Sequence, residues 1–220
     1  MTPQSGFMIV AAVRDGQLKD LRDLLASMNN LPGHADPDNE LIPFGKFERV
    51  HFARFVIIEA RTAQEIREFG VTPRPWRPAL AFLGDIDGDM QTFLLELIER
   101  AEPGLKKIFS HCEGFSEENQ DLLGWMNANN INAGANYVNW IGRTVRQIHE
   151  EAALHRSLSI YLPKIADDVG RENVRALRQK LLSYVEMEKY KGRLTLTPPE
   201  PTPPEWKMRN LLHMIGIPLI

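Results

Sequence analysis

The run Ala79-Leu80-Ala81-Phe82-Leu83-Gly84-Asp85-Ile86-Asp87-Gly88-Asp89 decides how this chain is read. Five apolar residues, 79–83, suit a short buried strand, and the Gly/Asp-rich stretch 84–88 reads as the turn that closes it. Asp89 then stands where a helix needs an N-cap, ahead of Phe93, Leu94, Leu97, Ile98 and Ala101 at helical spacing. Working back, His51 to Ala60 (His-Phe-Ala-Arg-Phe-Val-Ile-Ile-Glu-Ala) is a strand apolar on both faces, and such a strand is covered on both sides. Before it, Asn30 to Pro43 holds Pro32, Gly33, Pro37 and two aspartates, and reads as a long loop. Leu18, Leu21, Leu24, Leu25 and Met28 mark a helix over Gln17–Asn29, and Phe7 to Val13 a first strand.

Working forward, Pro103 opens a further helical piece with Leu105, Ile108, Phe109 and Cys112 inward. Ser116 and Glu117 start a short helix with Leu122, Leu123, Trp125 and Met126, and Ala135 to Ile141 supplies a fourth strand after an Asn129-Asn130 break. The order is β-α-β-β-α-β. The expected class is therefore α+β, a ferredoxin-like antiparallel sheet over residues 1–142 with additional C-terminal helices. Its open face needs a cover: a second copy in a homodimer, the chain's own C-terminal helices, or a ligand.

Composition narrows the function. The 220 residues are 43% hydrophobic and 25% charged, which fits a folded globular chain rather than disorder. A net charge of -3 argues against nucleic-acid binding over the whole surface. One cysteine, Cys112, excludes an internal disulfide and a Cys-rich zinc site. No apolar run reaches the ~18 residues that cross a bilayer, and the N-terminus lacks a signal-peptide pattern, so a cytoplasmic location is expected.

Residues 143–192 form a helical extension, with Val145, Ile148, Ala152, His155 and Leu158 on one expected face and Val174, Leu177, Leu181, Tyr184 and Val185 on another. Five prolines between 198 and 204 make a stiff linker over 193–205. The tail 206–220 opens with Trp206, Lys207 and Arg209 and turns apolar, like the flank of an interfacial segment. Residues 171–193 carry four more positive than negative charges, so residues 171–220 suit an anionic membrane surface as a peripheral contact. The tail then docks on a membrane, or leads to a following segment there, or packs on its own core.

Three polar features compete as sites. Arg54 lies in a strand face otherwise made of Phe52, Val56 and Ile58, and a buried arginine there needs Asp85, Asp87 or a ligand's carboxylate. His51 is expected on the opposite face. His111-Cys112-Glu113-Gly114 pairs a thiol with an imidazole, yet Cys112 also continues the apolar stripe of its helix. Gly142-Arg143-Thr144 either holds an anion or is a plain turn capped by Thr144.

Gly84-Asp85-Ile86-Asp87-Gly88 resembles the GxxDG pattern of the dye-decolorising haem peroxidases, whose domains are ferredoxin-like. That resemblance implies haem as cofactor, with Asp87 on its distal side assisting peroxide deprotonation and Arg54 or Arg175 (or Arg171) as the distal arginine. It also implies a histidine on iron, and His149 and His155 are the candidates. Asp87 and Gly88 have a purely local reading too, as turn and cap residues. His51-Phe52-Ala53-Arg54, Ile108 to Gly114 and Gly142-Arg143-Thr144 further resemble an uncharacterised bacterial group with a peroxidase-like ferredoxin domain ahead of a hydrophobic tail. Two readings result. One is a ligand- or partner-binding module, the soluble part of a membrane-associated protein; the other is a peroxidase of the dye-decolorising kind.

Overall fold

The computed structural model describes residues 4–59, 67–70, 72, 77–116, 121–131, 143–165, 173–199, 201 and 204–216. It is an α+β structure that divides into two compact units, 3–139 and 140–220, the latter grouped with residues 1–2.

In the N-terminal unit, β1 (Gln4–Ala12), β4 (Val50–Ile58) and β5 (Ala79–Asp87) form one antiparallel sheet in the order β1-β5-β4. Phe7 stands opposite Gly84 and Ala12 opposite Ala79, so the first and third expected strands lie side by side. The other elements are α1 (Leu18–Ala26), a small hairpin of β2 (Asn29–Leu31) and β3 (His34–Ala35), α2 (Met90–Phe109) and α3 (Leu122–Ala128). The hairpin stands where a loop is expected. Its five residues are exposed, so no apolar pattern announces it, and Gly33 at φ +79° makes its turn.

Alternation gives the sheet two different faces. Phe7, Ile9, Leu80, Phe82 and Ile86 point into a core closed by Phe93, Leu94, Leu97, Leu105, Ile108 and Phe109 of α2. Phe82 is its hub: Phe55 stacks on it at 4.3 Å and Phe7 meets it edge-on at 4.9 Å. Full burial of one such ring is worth ~1.5–3 kcal/mol. Asp89 caps α2 as expected, accepting from the Thr92 N–H at 2.8 Å. α2 leaves helical geometry at Ala101, two residues before Pro103, and so is two helical pieces joined at a kink. Just past the kink Gly104 lies against the Leu41 backbone; a Cβ there would sit 1.9 Å from the Leu41 carbonyl oxygen.

One expected boundary moves. The strand does not close at Leu83 but runs on to Asp87, and only Gly88, at φ +88°, turns the chain. Gly84 is inside the strand because the Phe52 carbonyl oxygen and the Phe7 ring would stand 2.7 and 2.9 Å from a Cβ. The described short helix is capped by Asp121, which accepts from the Gly124 N–H, and the residues that follow the expected opening at Ser116, 117–120, lie outside the described residues. The expected strand Ala135–Ile141 lies outside the described residues. What is described is the chain leaving α3: the Val10 N–H donates to the Asn129 carbonyl and the Ile131 N–H to the Met8 carbonyl, an antiparallel bridge on the edge of β1 that β5 does not use.

The C-terminal unit holds α4 (Val145–Tyr161), α5 (Val174–Tyr190) and α6 (Pro204–Gly216). Thr144 caps α4 in a reciprocal capping box with Gln147, so the cap reading of Gly142-Arg143-Thr144 has its geometry, while Arg143 pairs with Glu151. The expected α4 face is buried only at Val145 and half-buried at Leu158: Ile148, Ala152 and His155 are exposed, while Gln147, off that face, is buried. Polar contacts explain the difference. The extended stretch after α5 is held by Glu150, which accepts from the Thr197 hydroxyl at 2.8 Å and from its N–H, and by Gln147, which donates to the Thr197 carbonyl.

Candidate functional site

Among the residues singled out by sequence, Asp87 is the one that the structure builds into a cluster. It is only 7% exposed and occupies the last position of β5, opposite Gln4 of β1. Its N–H donates to the Arg49 carbonyl at 2.7 Å, which anchors the backbone. Its carboxylate meets His51 Nε2 at 2.9 Å, and the same ring nitrogen lies 2.9 Å from the Gln4 amide nitrogen. A ring nitrogen carries one proton or one lone pair. With the proton on Nε2 the imidazole donates to Asp87; with the lone pair there it accepts from Gln4. The neutral imidazole thus serves one partner or the other according to its tautomer. Ser5 closes this end of the sheet, its hydroxyl donating to the Gly88 carbonyl at 2.6 Å.

A register shift explains why His51 is there. β4 pairs Val50 with Ile86 and Phe52 with Asp85, so one extra residue is inserted between them. That bulge puts His51 on the same face as Phe52 and Arg54, which corrects the expectation of opposite faces drawn from strict alternation. Asp85 shares this face. Burial pushes its carboxyl above the ordinary range, and the His51 ring pulls it partly back. Gln4 and the His51–Asp87 contact escape sequence reading because their partners lie 47 and 36 residues apart.

Arg54 does not meet Asp85 or Asp87. It is exposed on the edge strand, so the premise that burial would force a partner on it fails. Instead it lines a cavity of about 500 Å³ between α1, the β2–β3 hairpin and β4. Cys112 is fully buried, and burial raises its thiol to about 12; with no thiolate at neutral pH it is a core residue rather than a nucleophile.

His149, His155 and Arg175 belong to the C-terminal unit and are exposed, while Arg171 lies outside the described residues. Clefts lie among its described residues. One, of about 640 Å³, runs past the stacked rings of Tyr161 and Tyr184, 3.9 Å apart; another, of about 400 Å³, lies along Glu150, Leu154 and Thr197. Neither is lined by His149, His155 or Arg175. A haem group needs an apolar slot around its axial ligand. His149 and His155 are exposed and line neither of these clefts, and the Asp87 carboxylate already faces His51. Among the described residues no group of three or more His, Cys, Asp or Glu side chains is placed to hold a metal ion.

No protein-family model, no curated protein and no solved structure matches this chain.

Proposed function

We propose that the chain is a ferredoxin-like binding module that rests on an anionic membrane surface through its C-terminal helix. Three features support the fold part: the all-antiparallel order β1-β5-β4, α2 following β5, and the bridge from Asn129–Ile131 to the outer edge of β1. In the ferredoxin-like arrangement a fourth strand occupies that edge.

The observation that carries the membrane part is α6. Met208, Leu211, Leu212 and Ile215 fall three, one and three residues apart, so they form one helical stripe, and all four are exposed. The helix has 13 residues, a length of about 20 Å against the ~30 Å of a hydrocarbon core. Among the described residues no helix is long and apolar enough to cross a membrane. A short helix with an unburied apolar stripe lies in the interface plane, where both its apolar face and basic neighbours find partners. Arg175, Arg178, Lys191 and Lys207 of the same unit are exposed and supply the attraction to anionic headgroups.

Flotation of the full chain with vesicles tests this reading. Binding to phosphatidylglycerol vesicles, weak binding to phosphatidylcholine vesicles and release by salt are expected. A chain that stays at the bottom of the gradient with both lipids overturns it.

A further inference from the structure

The edge cavity of the N-terminal unit carries an inference about the ligand. Its floor is apolar: Leu25 of α1, Met28 after it, Phe44 and the β4 residue Phe55. Its wall is fixed by Asn39, whose side chain donates to the Asp36 and Ile42 carbonyls and accepts from the Leu41 and Ile42 N–H groups. All of its amide hydrogen-bonding groups are used inside the loop, so the wall is held in place without a ligand. About 500 Å³ is the size of a small-molecule site.

Charge decides the chemistry. Two arginines, Arg22 and Arg54, are among its lining residues. Arg22 is committed to Glu59 at 2.8 Å. Arg54 makes no ion pair with any described residue. Asp36 is the acid on the lining; one of its oxygens accepts from the Asp38 N–H at 3.0 Å, which keeps that carboxylate turned into its own loop. An apolar floor with one uncommitted guanidinium at the rim, beside a fixed negative charge, suits a single carboxylate and disfavours a phosphate dianion.

We infer that this cavity binds a monocarboxylate with an apolar body, such as a medium-chain fatty acid, with Arg54 holding the carboxylate and Leu25, Met28, Phe44 and Phe55 holding the chain. This deepens the binding-module reading and rests on that part of it alone, not on membrane docking.

Calorimetric titration of the full chain with decanoate below its micelle concentration, in vesicle-free buffer, tests it. Saturable one-to-one binding is expected. Arg54→Gln, at an exposed position, should weaken it about tenfold, the loss of one charge-assisted contact. Ala26→Trp, at an exposed position on the lining, should abolish it by filling the mouth, and decanol should bind more weakly than decanoate. Heat without saturation, decanol binding as tightly as decanoate, or both variants binding like the parent would overturn the inference. Vesicle flotation of Arg54→Gln should match the parent, so failure of this site and failure of the membrane reading give separate results.

Discussion

The two units of this chain solve the same problem with opposite means. The N-terminal unit buries a continuous set of aromatic and aliphatic side chains, among them Phe82, Phe93, Leu94, Leu97, Leu105 and Ile108, all without measurable exposure. In the C-terminal unit the one residue that α5 buries is Glu188, and α4 buries only Val145 and Gln147. Val174 is 83% exposed and Tyr190 93%. Beside the stacked Tyr161 and Tyr184 rings and the buried Leu194, what holds that unit's described parts is polar: the Thr144 capping box, the Glu150–Thr197 contacts and the Glu188–Arg193 pair. Apolar burial gives a unit that stands by itself. Caps and ion pairs of ~1 kcal/mol or less each hold helices in place but leave their apolar faces looking for another surface.

Truncation should separate the units most. Phe82→Ala opens a cavity beneath four neighbouring rings and should cost ~3–5 kcal/mol of N-terminal stability. Leu182→Ala, half exposed on α5, should stay within ~0.5 kcal/mol. Chemical denaturation of both variants checks this; equal losses would mean that α5 is packed more tightly than its exposure says.

A smaller effect comes from acid, and its sign should differ between the units. Hydrogen bonding from Arg193 holds the Glu188 carboxyl below the ordinary range. A carboxyl depressed in the folded state stabilises it above the unfolded value of about 4.3, and that contribution is lost as pH falls through the folded value. Asp85 runs the other way. Burial raises it, so its ionised form opposes folding at neutral pH and the opposition is relieved as pH falls through its raised value. Between pH 6 and 3, amide resonances around Leu194 should therefore lose native dispersion before those of β5. Loss in the reverse order would contradict the contrast.

The parts legible in the sequence are those where apolar burial dictates the outcome. Phe7–Val13, the strand from His51 and Ala79–Leu83 are apolar runs, and the antiparallel placement of the first and third follows from burying them together. The helix cap at Asp89 and the kink before Pro103 are written in single residues. What was not legible depends on backbone detail. A one-residue bulge moved His51 to the other face, and a run of Gly and Asp that looks like a turn is strand as far as Asp87 because Gly84 admits the close approach of Phe7 and Phe52. In α4 the apolar stripe is buried only at Val145, since little core is there to enforce the rest and Glu150 and Gln147 turn toward Thr197. The candidate site suffered most. Asp87 and Arg54 were visible as residues, but their surroundings, an imidazole for one and a cavity rim for the other, come from segments far apart in the chain.

The exposed stripe of α6 is where the contrast bears on the proposed membrane contact, and one measurement tests it directly. Flotation of the Leu211→Asp, Leu212→Asp double variant on phosphatidylglycerol vesicles should show binding lost while the thermal unfolding of the N-terminal unit is unchanged. Retained flotation of that variant would contradict the account, because the apolar stripe would then have no part in holding the protein at the membrane.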